Sequence, residues 1–284
     1  MLAPVELPLK LPFAVPPLVV LRPTTSREPA AARFSRLLAE LEPTTLAGLE
    51  AVSLLNRVDT KFLLSESQLG ALLPDLARDY LVLDVGGRRL HQYRTLYFDT
   101  PGFDLYRWHH AGQAVRYKVR SRAYVDSGLA FFEIKAKNAR GRTIKHRVAT
   151  NAPLSALTPE ARALLAEHAP PHERLVEPKL RNDFLRITLV GKRCAERLTL
   201  DLGIQFECDG RTAILPGVAV AELKQNGVDA DSPFMQRMRE AGQYPTSVSK
   251  YCVGVALLVQ SVEHDAFEGS LRAFEQLARA EFGA

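Results

Sequence analysis

The sequence predicts an α+β fold with one large antiparallel sheet or barrel and helices at its ends. From Leu81 onward, runs of period-two alternation are separated by short turns such as Gly86-Gly87, Asp126-Ser127-Gly128 and Arg140-Gly141. Segments with apolar residues at helical spacing lie on either side of that run. The charge is also concentrated. The 284 residues carry a net charge of +5, yet Gly86–Arg147 holds 14 Lys/Arg against 4 Asp/Glu, a local net of +10 that leaves −5 elsewhere. A basic block inside a slightly acidic chain predicts a site that handles polyanions.

In chain order, residues 1–30 are rich in Pro, Ala, Thr and Leu and read as an extended or disordered leader, with residues 31–284 as one domain. Ala32–Leu41 places Phe34, Leu37, Leu38 and Leu41 on one helical face, and Leu46–Val52 continues the helical entry. Asn56–Leu64 reads as a short strand with Arg57, Asp59 and Lys61 on one side, followed by a helix over Ser65–Asp79 packed through Leu69, Leu72, Leu73 and Leu76. Strands are predicted at Leu81–Val85, Leu90–Phe98, Ala114–Tyr124, Leu129–Lys137, Thr143–Ala149, Phe184–Leu189, Arg197–Phe206 and Val218–Gln225. Helices return at Pro159–His168, Phe234–Ala241, Val248–Ser261 and Ser270–Phe282.

Several classes are excluded. No apolar run approaches the roughly 20 residues of a membrane helix, and the apolar N-terminus is broken by Pro4, Pro8, Pro12, Pro16 and Pro17, unlike a secretory signal. Cys194, Cys208 and Cys252 are odd in number and lack ligand spacing, which predicts no disulfide framework or structural zinc and a reducing, cytoplasmic location. His109 and His110 follow Trp108 on a segment read as irregular, and a loop role is expected of them.

Ala114–Tyr124 is the most informative strand. Period two puts Arg116, Lys118, Arg120 and Arg122 on one face. The next strand repeats the pattern with Phe131, Glu133, Lys135 and Lys137, and the third with Thr143, Lys145 and Arg147. One such strand is ordinarily a solvated outer face. Three neighbours with like charges opposed across strands are mutually repulsive, an arrangement that a bound chain of phosphates would relieve. Aromatic Tyr117 and Phe132 alternate away from this face, which favours bare phosphate chains over nucleic acid as the ligand. Glu222, with Lys224 on the same face, is a hard oxygen donor suited to Mg²⁺ or Mn²⁺.

Arg57–Phe62 (RVDTKF), Arg94–Thr100 (RTLYFDT), Arg116–Arg120 (RYKVR), Phe132–Lys135 (FEIK), Glu222–Lys224 (ELK) and Ser249–Tyr251 (SKY) occur in an order that resembles the VTC domain. That is the polyphosphate polymerase domain of the vacuolar transporter chaperone type, and the resemblance spans Leu49 to Leu258. It implies a triphosphate tunnel metalloenzyme fold, CYTH-like, with a closed antiparallel β-barrel, flanking and capping helices and a basic lumen. It further implies phosphate binding by Lys61, Lys118, Arg120, Lys135, Lys145, Arg181, Arg197 and Lys250, with Lys61, Lys118, Arg120 and Lys250 as the catalytic set and Glu222 holding a divalent Mn²⁺ or Mg²⁺. Lys179 and Arg186 flank Arg181 as alternatives. The implied activity is ATP-dependent extension of polyphosphate, with ATP and inorganic polyphosphate as partners and no specific nucleic acid; a membrane partner is compatible but not implied. The chain departs from the ExExK opening of the related triphosphatases, having only Asp59 there, which leans away from hydrolysis. An inorganic triphosphatase and a non-catalytic polyanion-binding module remain the alternatives.

Overall fold

A computed structural model of the chain describes residues 28–51, 57–169 and 175–282. The leader expected over residues 1–30 falls outside the described residues as far as residue 27, as does Asn56.

Helix α1 (Ala30–Ala39), strand β1 (Pro43–Thr44) and helix α2 (Leu46–Ala51) precede β2 (Arg57–Ser65). Then come α3 (Glu66–Leu76), β3 (Tyr80–Leu83), β4 (His91–Asp99), α4 (Asp104–His110), β5 (Arg116–Tyr124), β6 (Leu129–Lys137), β7 (Thr143–Thr150) and α5 (Pro159–His168). The remainder is β8 (Glu177–Gly191), β9 (Glu196–Cys208), β10 (Arg211–Leu215), β11 (Val218–Asn226), α6 (Pro233–Glu240), α7 (Lys250–Leu258) and α8 (Glu268–Phe282). Helix starts follow the local chemistry: Ser65 and Gln68 form a capping box on α3, and Thr158, Ser232 and Ser249 accept N–H bonds at α5, α6 and α7.

The main ladder runs β2-β11-β9-β8-β4-β5-β6-β7, every neighbouring pair antiparallel, with β10 on β9, β3 on β8 and β1 parallel to β3. Alternation sorts its two faces. Leu198, Leu200 and Leu202 of β9 and Ala219, Ala221 and Leu223 of β11 bury one side against α1, α3 and α6. Val119, Phe132 and Ile134 do the same against α5. A third core, with α7 and α8, closes one end. Helix α7 lies so close that a Cβ on Gly254 would stand 2.6 Å from both Leu180 and Phe206, so only glycine fits there.

The α+β architecture and its flanking helices are as expected, in the form of a strongly curled half-barrel. Lys135 on β6 is held in the electrostatic field of Glu222 on β11, although β9, β8, β4 and β5 separate those strands in the ladder. The closed ring that the resemblance implies is not formed: among the described residues β2 and β7 do not pair with each other. The edge of β2 is taken at Lys61, whose carbonyl accepts the Thr246 N–H at 2.8 Å.

Three local expectations also change. Strand β8 begins at Glu177 rather than Phe184 and bends through register shifts opposite β4 and β9. Strand β10 was not expected; Asp209 and Gly210, at φ of 48° and 74°, make the tight hairpin that joins it to β9. His109 and His110 lie on helix α4, not on an irregular segment.

Candidate functional site

The concave face is organised around three carboxylates, buried Glu133 and Asp201 and half-buried Glu222, each bridging two cations. Glu222 on β11 is paired with Lys61 of β2 at 3.5 Å and with Lys224 two residues along its own strand. Glu133 on β6 takes both Nε and Nη2 of Arg120 at 2.7 and 2.6 Å and is also paired with Lys145 of β7. Asp201 on β9 receives Arg186 of β8 through Nε and Nη2 at 2.5 and 2.7 Å, and also Lys250 from the first turn of α7. Period-two alternation explains the placement, since each residue lies opposite its partner or near it in the ladder: Glu222 faces Lys61, Glu133 faces Arg120, and Asp201 faces Arg186.

Burial pushes each of these carboxyls up, and in each case the paired cations outweigh it. Glu133 is held at about 2 by Arg120, Lys145 and Arg122, and Asp201 at about 2 by Arg186 and Lys250. Lys224, Lys61 and Lys135 hold Glu222 well below the ordinary carboxylate range. The three acids are therefore ionised at neutral pH.

Cations outnumber them. Lys118, Arg122 and Lys135 also face inward, and none of the three makes an ion pair among the described residues. Arg120 and burial push the Lys135 amine well down, with Glu222 opposing. Burial first, then Lys61 and Arg120, lower Lys118; burial, Arg120 and Arg186 lower Arg122. Arg197 donates to the Leu49 carbonyl at 2.7 Å and is lowered by burial and Arg57. Such a concentration of partly desolvated, uncompensated positive charge attracts a polyanion.

Of the residues expected at the site, Lys61, Lys118, Arg120, Lys135, Lys145, Arg197, Glu222 and Lys250 all come to this face. Arg181 does not. It is 55% exposed beside Glu207 and lies on the opposite side of β8 from Arg186, five residues along, because strand alternation sends odd and even positions to opposite faces. Arg186, the flanking alternative, occupies the interior. Arg122 and Lys224, which alternation already placed on the charged face but which the expected ligand set left out, also belong to the cluster, as does Asp201, whose period-two spacing from Arg197 was the available signal.

Helix α7 is fixed by a clamp that the RTLYFDT segment supplies. Asp99, fully buried, accepts the N–H groups of Thr100, Leu105 and Tyr106 at 2.7 to 2.9 Å and the hydroxyl of Tyr251. One carboxylate thereby caps α4 and ties down the helix that delivers Lys250. Tyr251→Phe is expected to lower stability by about 1–3 kcal/mol, the cost of leaving a buried acceptor short of a partner. Urea denaturation measures this, and an unchanged midpoint would remove the clamp.

The aromatic pattern needs correction. Phe132 faces the outer core and Phe131 the cationic side, both as expected, but Tyr93 and Phe184 also lie on the cationic side. His110 pairs with Asp265 at 2.6 Å, and burial together with Lys118 and Arg116 drives His109 down to about 3. Among the described residues, no helix is long and apolar enough to cross a membrane.

Comparison with curated proteins finds no match. Among solved structures, the bh2851 protein of Bacillus halodurans is similar at 16% identity and a TM-score of 0.42, over 69% of this chain and 97% of that one. The HpAC1 protein of Hippeastrum, described as having a dominant triphosphatase activity, is similar at 16% identity and a TM-score of 0.44, over 73% and 100%. The PH1819 protein of Pyrococcus horikoshii OT3 has 12% identity and a TM-score of 0.41, over 71% and 98%. The VTC domain matches residues 56–259, a span that begins just before β2, ends just after α7 and so contains every member of the inward cluster. The chain belongs to the VTC domain family.

Proposed function

We propose that this protein transfers the γ-phosphate of ATP to the end of a polyphosphate chain held on the concave face of the half-barrel. The observation that carries this reading is the excess of inward cations over the three carboxylates, within a chain of the VTC domain family. A terminal phosphate of the chain is itself the nucleophile, so no activated side chain is needed; the protein supplies positioning and charge stabilisation. Lys118, Arg120, Arg122, Lys135 and Arg186 line up the anionic chain, and Lys250, held by Asp201 and the Asp99–Tyr251 clamp, contacts the phosphates nearest α7.

A divalent ion fits this donor set in one way. Glu222 offers hard oxygens and holds Lys61 on one of them only at 3.5 Å, whereas Asp59 is engaged by Arg57 at 2.6 Å and Asp201 closely by Arg186 and Lys250. One carboxylate plus substrate oxygens is a usual environment for Mg²⁺. Such an ion, Mn²⁺ or Mg²⁺, would neutralise charge on the oxygens of the transferred group. With one loosely paired acid, Glu222, in place of the ExExK opening, the site favours transfer to phosphate over the hydrolytic alternative.

The test is to incubate purified protein with ATP, divalent metal and a short polyphosphate primer, and to separate products by length. A lengthening ladder with ADP release, lost in Lys250→Ala, is the expected result. Phosphate release without chain growth would identify a hydrolase, and neither product, with binding retained, a passive binder.

The lowered Lys135 adds a pH dependence. In the unliganded protein its charged form is disfavoured, so this group makes stability rise with pH between its lowered value and the ordinary 10.5. A bound anion restores the charge, so binding takes up protons. Affinity for tripolyphosphate is therefore expected to fall as pH rises through that window, whereas ordinary lysines would sustain it to about 10.5. Titration calorimetry in buffers of different ionisation enthalpy reads the uptake directly; zero uptake would contradict the assignment.

A further inference from the structure

Three inward cations converge on one pair of rings. Tyr93 of β4 and Phe184 of β8 stack with centroids 5.3 Å apart and planes 21° apart, and both are buried. The Arg186 guanidinium lies 4.8 Å from the Tyr93 centroid and 5.2 Å from that of Phe184. Arg122 lies 5.6 and 5.7 Å from the same two centroids, and Lys250 Nζ lies 4.9 Å from Phe184. These cations come from three different elements, β8, β5 and α7. Arg122 is 7% exposed, and its Nε donates to Thr95 Oγ1 at 3.2 Å.

Gathering three cations in a buried place is costly unless something offsets their repulsion. A carboxylate offsets it by accepting their N–H donors, and those donors are then no longer available to a ligand. An aromatic face attracts the cation through its quadrupole and leaves the edge N–H groups of a guanidinium unused. The site uses both devices: Asp201 accepts from Arg186 and Lys250, while the ring pair faces all three cations, including Arg122, which has no carboxylate partner among the described residues.

We propose that the stacked Tyr93–Phe184 pair is a positioning element that holds Arg122, Arg186 and Lys250 together as a prepared seat for phosphate, resting on the polyphosphate function proposed above. The rings touch no substrate; they set the spacing of the groups that do. Phe184→Leu keeps an apolar side chain and removes the π-face, whereas Phe184→Tyr keeps the face.

The experiment measures tripolyphosphate affinity by calorimetry on the full chain, together with the side-chain Nε–H signals of arginine by NMR without ligand. In Phe184→Leu the dissociation constant is expected to rise at least about tenfold, as expected for loss of contacts to three desolvated cations, with the Arg122 and Arg186 signals losing their ring-current shifts. Phe184→Tyr is expected to restore both to near the unaltered protein. Binding by Phe184→Leu within about twofold of the unaltered protein, or equal weakening in Phe184→Tyr, would overturn the proposal. If Phe184→Leu does not fold, Tyr93→Leu removes the other ring and must weaken binding likewise; unchanged affinity there overturns the proposal equally. An unaltered protein that binds no tripolyphosphate defeats the function on which the proposal rests, an outcome distinct from binding that ignores the rings.

Discussion

Glu222→Ala is expected to separate binding from turnover in opposite directions. Divalent-dependent phosphoryl transfer should fall by at least about 100-fold, the scale of losing one preorganised group that stabilises transition-state charge. Affinity for tripolyphosphate without metal should be retained or improved. The reason is electrostatic: Glu222 is the counter-charge for Lys61 and Lys224 and lies in the field of Lys135, so its removal leaves these lysines freer to hold phosphate. Rates with Mn²⁺ and Mg²⁺, set beside metal-free calorimetry, measure both effects. Turnover that survives the substitution would take Glu222 out of the mechanism.

Glu133→Gln is expected to have the largest effect on stability. Glu133 has no exposed surface and bridges buried Arg120 and the more exposed Lys145, so neutralising it leaves the Arg120 guanidinium buried without its counter-charge. Removing one member of such a buried cluster costs about 3–5 kcal/mol. A phosphate chain would supply the missing negative charge, so saturating tripolyphosphate should recover part of the loss by mass action. The same linkage sets the acid limit. Glu133 and Asp201, held at about 2, contribute stability that is full above their ordinary values of 4.5 and 3.8 and is lost as pH falls toward 2. Denaturation of Glu133→Gln with and without tripolyphosphate tests this; equal stability of the variant and the unaltered protein would refute it.

What was legible in the sequence follows from what period two encodes. Strands β5, β6 and β7 were readable because apolar and charged residues alternate within each of them, with buried positions on β5 and β6 and half-buried ones on β7. Strand β8 was half hidden because its first part, Glu177 to Arg181, is largely exposed and carries charges on the outer side. The same exposure misplaced Arg181: a motif locates an arginine along the chain, but only register decides which face it joins, and the interior went to Arg186. The bridging roles of Glu133 and Asp201 were not legible because their second cations come from other segments, Lys145 across a hairpin and Lys250 from a helix 49 residues on. The ring pair was unreadable for a similar reason, since Tyr93 and Phe184 are neighbours only through the β4–β8 ladder.

The central claim is that the inward cations of the half-barrel seat a chain of phosphates. The most direct measurement is the equilibrium affinity for tripolyphosphate, without ATP or metal, of the unaltered protein and of a double variant, Lys118→Met with Lys135→Met. These two lysines make no ion pair among the described residues, so replacing them removes charge without stranding a partner. A loss of about 100-fold or more is predicted, each charge-assisted contact being worth about 1.5–3 kcal/mol. Affinity unchanged by the double substitution would place the anion elsewhere on the protein and contradict the account.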